Sequence, residues 1–195
     1  MNLYFRMLRM LLRQLWQPKM QSMTEPRVMH FRTWPFDCDF NLHLTNSRFI
    51  ALIDVCRFDF FMGTGLRLGI LKNRYKVIVN SLEITFIKEI PPLRKFSVQT
   101  KFMGWDKKYF YFESRFFHQG KLCAYGNSRQ AIVKNRKIIS LGEVFTNAGY
   151  NIDNPRGGGV VESWRRFMDS KKQHEANNQN DAQPKHKTKE AICAE

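Results

Sequence analysis

The run Ser47–Met62, Ser-Arg-Phe-Ile-Ala-Leu-Ile-Asp-Val-Cys-Arg-Phe-Asp-Phe-Phe-Met, is apolar on nearly every side when wound as a helix, with Asp54 and Arg57 spaced three apart as a possible pair. A helix of that kind has no face to give to water, so the rest of the chain has to enclose it. Gly63 and Gly65 supply its stop. What surrounds it in sequence is almost all strand, so the enclosing layer is a sheet.

Arg27–Phe36 is rich in β-branched and aromatic residues and reads as a strand ended, or held at an edge, by Pro35. After the helix, Tyr75–Ile90 carries Val77, Val79, Leu82, Ile84, Phe86 and Ile87 and is closed by Pro91-Pro92. Phe96–Trp105 alternates Phe96, Val98, Thr100 and Phe102 with polar neighbours; Asp106-Lys107 turns it into Tyr109–Phe117, and His118–Lys121 turns that into Leu122–Val133. These last three form an antiparallel meander. One buried helix against one curved antiparallel sheet is an α+β arrangement. With 195 residues, 43% of them hydrophobic, the chain can bury a core of ordinary size between residues 27 and 150. Val161–Met168 reads as a short last helix within an extension over 151–168, and 169–195 reads as a disordered tail.

Directly before the buried helix lies Asp37-Cys38-Asp39-Phe40-Asn41-Leu42-His43-Leu44-Thr45-Asn46-Ser47, a dense group of carboxylates, imidazole, amides and hydroxyls. A polar cluster ending in Thr45, Asn46 and Ser47 and passing into Phe49-Ile50-Ala51-Leu52 delivers a loop to a helix N-terminus. That terminus carries unpaired backbone N–H groups and partial positive charge, suited to a carbonyl oxygen or an anion. The cysteines at 38, 56, 123 and 193 form no C-x-x-C pair, so neither zinc nor a disulfide framework is indicated and a reducing compartment follows. Cys38 lies between two aspartates, which raise a thiol pKa, so it is a packed residue and a poor nucleophile.

The formal charge is +15. Residues 1–20 hold four cations and no acid, and 169–195 hold five lysines against five acids, so the excess lies on the N-terminal extension and the folded middle. Such a charge attracts anionic lipid, nucleic acid, or the phosphates of a molecule such as coenzyme A. On a helical wheel Asn2, Arg6, Arg9, Arg13 and Gln17 share an arc of roughly 80°, with Leu, Met, Phe, Tyr and Trp over the rest. This is an amphipathic helix over about residues 1–20, joined by a linker over 21–26. It is too short and too often interrupted to span a bilayer. It lies either on an anionic membrane surface or over an apolar patch of protein with its arginines to solvent.

The order of elements, with Asp-x-Asp before the helix, resembles the hot-dog fold, and Asp37-Cys38-Asp39-Phe40-Asn41-Leu42-His43-Leu44-Thr45-Asn46 resembles the Asp-x-Asp-x-x-x-His-aliphatic-x-Asn motif of its 4-hydroxybenzoyl-CoA thioesterase branch. Phe102–Glu113, with Gly104-Trp105-Asp106 and Phe110-Tyr111-Phe112-Glu113, is similar to a segment of proteins resembling thioesterase superfamily member 6. The resemblance covers about residues 27–135. It implies a hot-dog sheet wrapped around one central helix and an acyl-CoA thioesterase acting on fatty or aryl acyl thioesters. Asp39 is then nucleophile or general base, a backbone N–H at Asn46 or Ser47 polarises the carbonyl, and His43 and Asp37 support. No cofactor is implied, coenzyme A entering as part of the substrate. The partner implied is a second subunit, forming a homodimer or higher oligomer; the amphipathic helix adds an anionic membrane through residues 1–17, in the cytoplasm at its inner face.

Departures and alternatives stand beside this. Thr45 replaces the first of two asparagines common in the family. Asp39 has a lesser reading as a helix-preceding cap or ion-pair partner, and His43 reads equally as a loop hydrogen-bonding group. Arg94, Lys95, Lys101, Lys107, Lys108 and Arg129 are candidates for the phosphates of coenzyme A, each also an ordinary surface charge. A catalytically silent acyl-binding or membrane protein of the same fold is the second reading. An enoyl-CoA hydratase ranks below it, because Asp39–His43 lacks the glycine and proline of that motif and is one residue short. No nucleic-acid-binding motif is present to accompany the charge.

Overall fold

The computed structural model describes residues 2–14, 16, 22–64, 72–147, 153–155 and 158–182. The linker residues before Ser22, Gly65 and the tail beyond 182 lie outside the described residues. The chain divides into two units, Met1–Gly157 and Gly158–Glu195.

In the first unit α1 (Asn2–Gln14) precedes β1 (Arg27–Arg32), a single 3₁₀ turn at Pro35–Asp37, α2 (Asn46–Gly63), β2 (Lys76–Phe86), β3 (Lys95–Trp105), β4 (Phe110–His118), β5 (Lys121–Lys134), β6 (Lys137–Ile139) and α3 (Leu141–Asn147). The sheet is antiparallel with order β1-β3-β4-β5-β2, and β6 pairs with Ile132–Lys134 of β5, past the point where Phe110 opens β4 opposite Gln130. The meander β3-β4-β5 thus stands as read, and β2 crosses to the far edge of the sheet. Its approach to β5 is close: a Cβ on Gly126 would sit 2.5 Å from the Glu83 carbonyl oxygen.

The sheet wraps α2, whose buried set runs from Phe49 to Phe61 around the helix. Alternation does the work on the sheet side, with Phe96, Val98, Thr100 and Phe102 of β3 and Phe110, Phe112, Ser114 and Phe116 of β4 turned inward. Phe49 meets Phe116 edge-on at 4.8 Å near the start of α2, and Phe60 meets Phe112 at 4.9 Å near its end, where α3 adds Leu141, Val144 and Phe145. Rings packed edge to face fill such a core with little void.

α1 covers an apolar patch of its own domain, one of the two placements read for it, and its basic stripe has a further partner. Its arginines lie along the edge of β1: Arg13, Arg9 and Arg6 donate to the carbonyl oxygens of Val28, His30 and Arg32 at 3.3, 3.2 and 3.2 Å. These are alternate residues of the outer edge of β1, whose open acceptors call for donors. Three guanidinium groups at helical spacing meet three carbonyls at strand spacing, while Met10, Leu3 and Met7 pack on the core. The face left outward is Tyr4, Phe5, Leu8, Leu11 and Leu12, all exposed. Among the described residues no helix is long and apolar enough to cross a membrane.

The second unit is α4 (Gly158–Ala182). The short helix read at Val161–Met168 is its first part, and the disorder read from 169 does not hold through 182. Composition pointed to disorder because the segment is polar all round, but its lysines, glutamines, alanines and glutamate favour helix, and Arg166 pairs with Glu162 at 2.9 Å one turn away.

Candidate active site

The polar stretch folds into a narrow hairpin set against the start of α2. The Thr45 N–H donates to the Asp37 carbonyl at 2.9 Å, Cys38 bridges Leu44, and the Asp39 N–H donates to the His43 carbonyl at 3.1 Å. Leu42 closes the turn at φ 57° and donates its N–H to the Asp39 carbonyl. The Leu44 N–H reaches the Ile90 carbonyl at 2.9 Å, pinning the hairpin to the segment after β2.

Its two aspartates have opposite surroundings. The Asp37 side chain is wholly buried; it takes the Trp34 N–H at 2.9 Å and the guanidinium groups of Arg6 and Arg48, the latter at 3.3 Å. Sequence reasoning gave neither arginine a role at this site, although Arg48 closes the polar stretch. Arg48 was legible as a cation in the first turn of α2, Arg6 only as one of a stripe. Burial pulls the Arg6 pKa down and Asp37 opposes that pull. Asp37 therefore fixes the loop and carries no free acceptor toward solvent.

Asp39 is open, its side chain 35% exposed, with one carboxylate oxygen taking the Asn41 N–H at 2.9 Å in an Asx turn. His43 Nδ1 lies 3.5 Å from that oxygen, an ion-pair separation longer than a good hydrogen bond. Cys38 is raised above its ordinary thiol range by burial first and by Asp37 and Asp39 second, which makes it the poor nucleophile expected.

Thr45 caps α2, its hydroxyl accepting the Arg48 N–H at 3.4 Å and sharing a hydrogen bond with Ser47 at 2.8 Å. Asn46 and Ser47 are exposed, and their backbone N–H groups are the first of the helix, which no carbonyl of that helix can accept. The structure thus brings Asp39 and His43 together and sets Asn46 and Ser47 at the end of the same hairpin strand, with no hydrogen bond from their side chains to Asp39 among the described residues. Substituting Thr45 by alanine should lower stability by about 1 kcal/mol, read as a fall in Tm of roughly 2–4 °C. An unchanged Tm would mean the cap is idle.

The six candidate cations do not converge. Arg94 and Lys95 sit at one end of β3 and Lys107 and Lys108 beyond the other, and the eleven residues of that strand span roughly 35 Å. Arg129 is buried, with Nε 2.8 Å from Asn80 Oδ1 and its guanidinium over the Tyr109 ring, so it belongs to the sheet. Arg94 lies beside the segment that precedes the loop, its carbonyl accepting the Thr33 N–H at 3.0 Å.

Residues 33–149 match the thioesterase-like superfamily. The chain is similar to a probable thioesterase of Saccharomyces cerevisiae, 32% identical over 121 residues that cover 60% of this chain and 53% of that one, so it spans about half the length of that relative. It is also similar to the protein THEM6 of Danio rerio, 24% identical over 83% of this chain and 80% of the other. Among solved structures, a 1,4-dihydroxy-2-naphthoyl-CoA thioesterase from Synechocystis superposes with a TM-score of 0.55 at 12% identity, covering 64% of this chain and 95% of its own. A probable thioesterase from Bartonella henselae also gives 0.55, at 18% identity, over 60% and 99%. These likenesses establish the hot-dog fold for the sheet and its enclosed helix.

Proposed function

Because this chain belongs to the thioesterase-like superfamily, we propose that it hydrolyses an acyl-CoA thioester to the free acid and coenzyme A, with Asp39 as the reacting carboxylate. The observation that carries the proposal is the contrast within one hairpin: Asp37 is consumed by two arginines, while Asp39 is open beside His43, on a hairpin that leads into a helix start with N–H groups to offer. Asp39 either attacks the thioester carbon, forming a mixed anhydride that water then opens, or takes the proton of an attacking water. In both routes negative charge grows on the carbonyl oxygen. Backbone N–H groups at Asn46 and Ser47, fixed before the reaction, stabilise that charge. His43 positions or tunes the carboxylate, and the thiolate of coenzyme A leaves.

The test is thiol release from a panel of fatty and aryl acyl-CoA esters, with Asp39→Ala as the control. Turnover that is lost in the variant supports the proposal. Binding of the same esters without turnover by the unaltered protein would replace it with the silent acyl-binding reading.

The surroundings of Asp39 point to a second subunit. Phe36, Phe40 and Leu42 are exposed by 87%, 106% and 69%, an apolar ring about a polar centre that a monomer would leave wet. β2 is the sheet edge that α1 does not cover, and it too exposes Ile78 and Phe86, with Ile87 exposed just beyond it. A homodimer that covers these surfaces and completes the site follows from the same reading.

For α1 the partner is an anionic membrane surface, entered by the apolar face. Tyr4, Phe5, Leu8, Leu11 and Leu12 occupy one arc of roughly 120°, and the exposed cations of the chain supply attraction to the headgroups. Leu8→Glu combined with Leu12→Glu should abolish most pelleting with phosphatidylserine-containing vesicles. Undiminished pelleting of that variant would remove the membrane from the proposal.

A further inference from the structure

Between α1 and the outer edge of β1 runs a groove of about 190 Å³, lined by Arg6, Arg9, Arg13, His30, Arg32 and Trp34 over an apolar floor. Among the described residues its lining holds no carboxylate. Arg6 is balanced, since it and Arg48 share Asp37. Arg9, Arg13 and Arg32 form no ion pair among the described residues. The groove therefore gathers three arginines with no negative charge to meet them.

The row is fixed before any ligand arrives. Arg9 and Arg13 each rest one nitrogen, Nη2, on a β1 carbonyl, and a guanidinium has five N–H donors, so most of each group stays uncommitted. Arg9 and Arg32 are exposed and Arg13 is half-buried. The carbonyls that anchor the row belong to alternate strand residues, roughly 7 Å apart, a gap that a phosphate group closes by accepting hydrogen bonds from both sides. Like charges already meet here: burial leads in lowering the Arg6 pKa, Asp37 opposes it, and Arg48 and Arg9 add to the fall. An anion in the groove relieves that repulsion.

We propose that this groove binds the phosphate monoester of an anionic lipid headgroup, held by Arg9, Arg13 and Arg32. A monoester brings nearly two charges and three strong acceptor oxygens to three unpaired cations. The groove lies below the roughly 300 Å³ at which sites for drug-sized ligands begin, so it takes a phosphate and not a whole nucleotide. The lipid is favoured as its source by what borders the row. Around α1, Arg9 stands roughly 40° from Phe5 and 60° from Leu12, so the cations edge the exposed apolar arc, at the level where headgroups meet acyl chains. Trp34, 49% exposed in the same lining, is a residue type that settles at that depth. The lipid source rests on the membrane placement of α1 proposed above; the row of open guanidinium donors stands without it.

The experiment is sedimentation of the full chain with phosphatidylcholine vesicles that contain phosphatidate or, at equal surface charge, phosphatidylserine. Calorimetric titration with soluble dihexanoyl phosphatidate, inorganic phosphate and coenzyme A accompanies it. Phosphatidate vesicles are expected to bind about tenfold more tightly than the charge-matched ones, the scale of one added charge-assisted hydrogen bond. Arg9→Lys, Arg13→Lys and Arg32→Lys together keep the charge and lose the planar fork. That variant, with its Tm checked, should lose the preference and still bind the phosphatidylserine vesicles. Equal binding of the two vesicles by the unaltered protein overturns the proposal, as does a preference that survives in the folded lysine variant. Inorganic phosphate or coenzyme A binding as tightly as dihexanoyl phosphatidate overturns the lipid source, and tighter binding of a short single-stranded RNA assigns the row to nucleic acid instead. If neither vesicle binds, the membrane placement of α1 fails and the lipid source with it. Soluble phosphatidate then decides the groove alone: binding that the lysine variant loses supports the phosphate site, and no binding overturns it.

Discussion

With Asp39 changed to asparagine, thiol release from acyl-CoA should fall by about 10²–10⁴-fold, the range for removal of a positioned acid–base group, and further if the carboxylate is itself the nucleophile. Asparagine keeps the oxygen that accepts the Asn41 N–H, so the hairpin holds its shape and only the charge is lost. Because Asp39 is partly exposed and carries no buried partner, Tm should stay within about 2 °C. KM should change little, since the group acts in the transition state and not in holding coenzyme A. His43→Gln should cost less than Asp39→Asn, because at 3.5 Å the imidazole only supports the carboxylate. Full activity of Asp39→Asn would end the assignment of this residue, and a larger loss for His43→Gln would reverse the two roles.

What the sequence made legible follows the range of the forces involved. The enclosed helix was readable because an apolar run with a Thr-Asn-Ser entry has one physical solution, and it spans Asn46–Gly63 where Ser47–Met62 was read. The strands of the meander were readable from alternation, which is local. The place of β2 was not, since pairing with β5 at the far edge depends on contacts between residues 38 or more apart in the chain. A helical wheel sorts α1 into two faces but does not say which one meets protein. The open carbonyls of β1 decide that, and the arginines turn inward to them. The site shows the same division. Asp37 and Asp39 stand in one motif, and only the remote guanidinium group of Arg6 and that of Arg48 determine that the first is spent and the second is open.

Exchanging Asp37 for alanine should be the most damaging single change in the loop for stability, about 3–5 kcal/mol, because it removes one member of a buried ionic cluster and strands the others. For a chain of this length that corresponds to a fall in Tm of roughly 6–20 °C. Three groups lose their acceptor at once: the Trp34 N–H, Arg48, and Arg6, whose side chain is only 10% exposed. Arg6 suffers most, since burial already disfavours its charge and Asp37 is what opposes that. The consequence reaches past the loop. Arg6 belongs to α1, so the same carboxylate ties the N-terminal helix to the hairpin that presents Asp39. If the tie is real, Arg6→Ala and Asp37→Ala will not add: their coupling should be about 0.5–3 kcal/mol, the range for groups in one network. Arg6→Ala should also lower the hydrolysis rate of a protein that is still folded, although Arg6 touches no part of the reacting hairpin beyond Asp37. Strict additivity in the cycle, with activity unchanged in Arg6→Ala, would make α1 a cover for the β1 edge and nothing more.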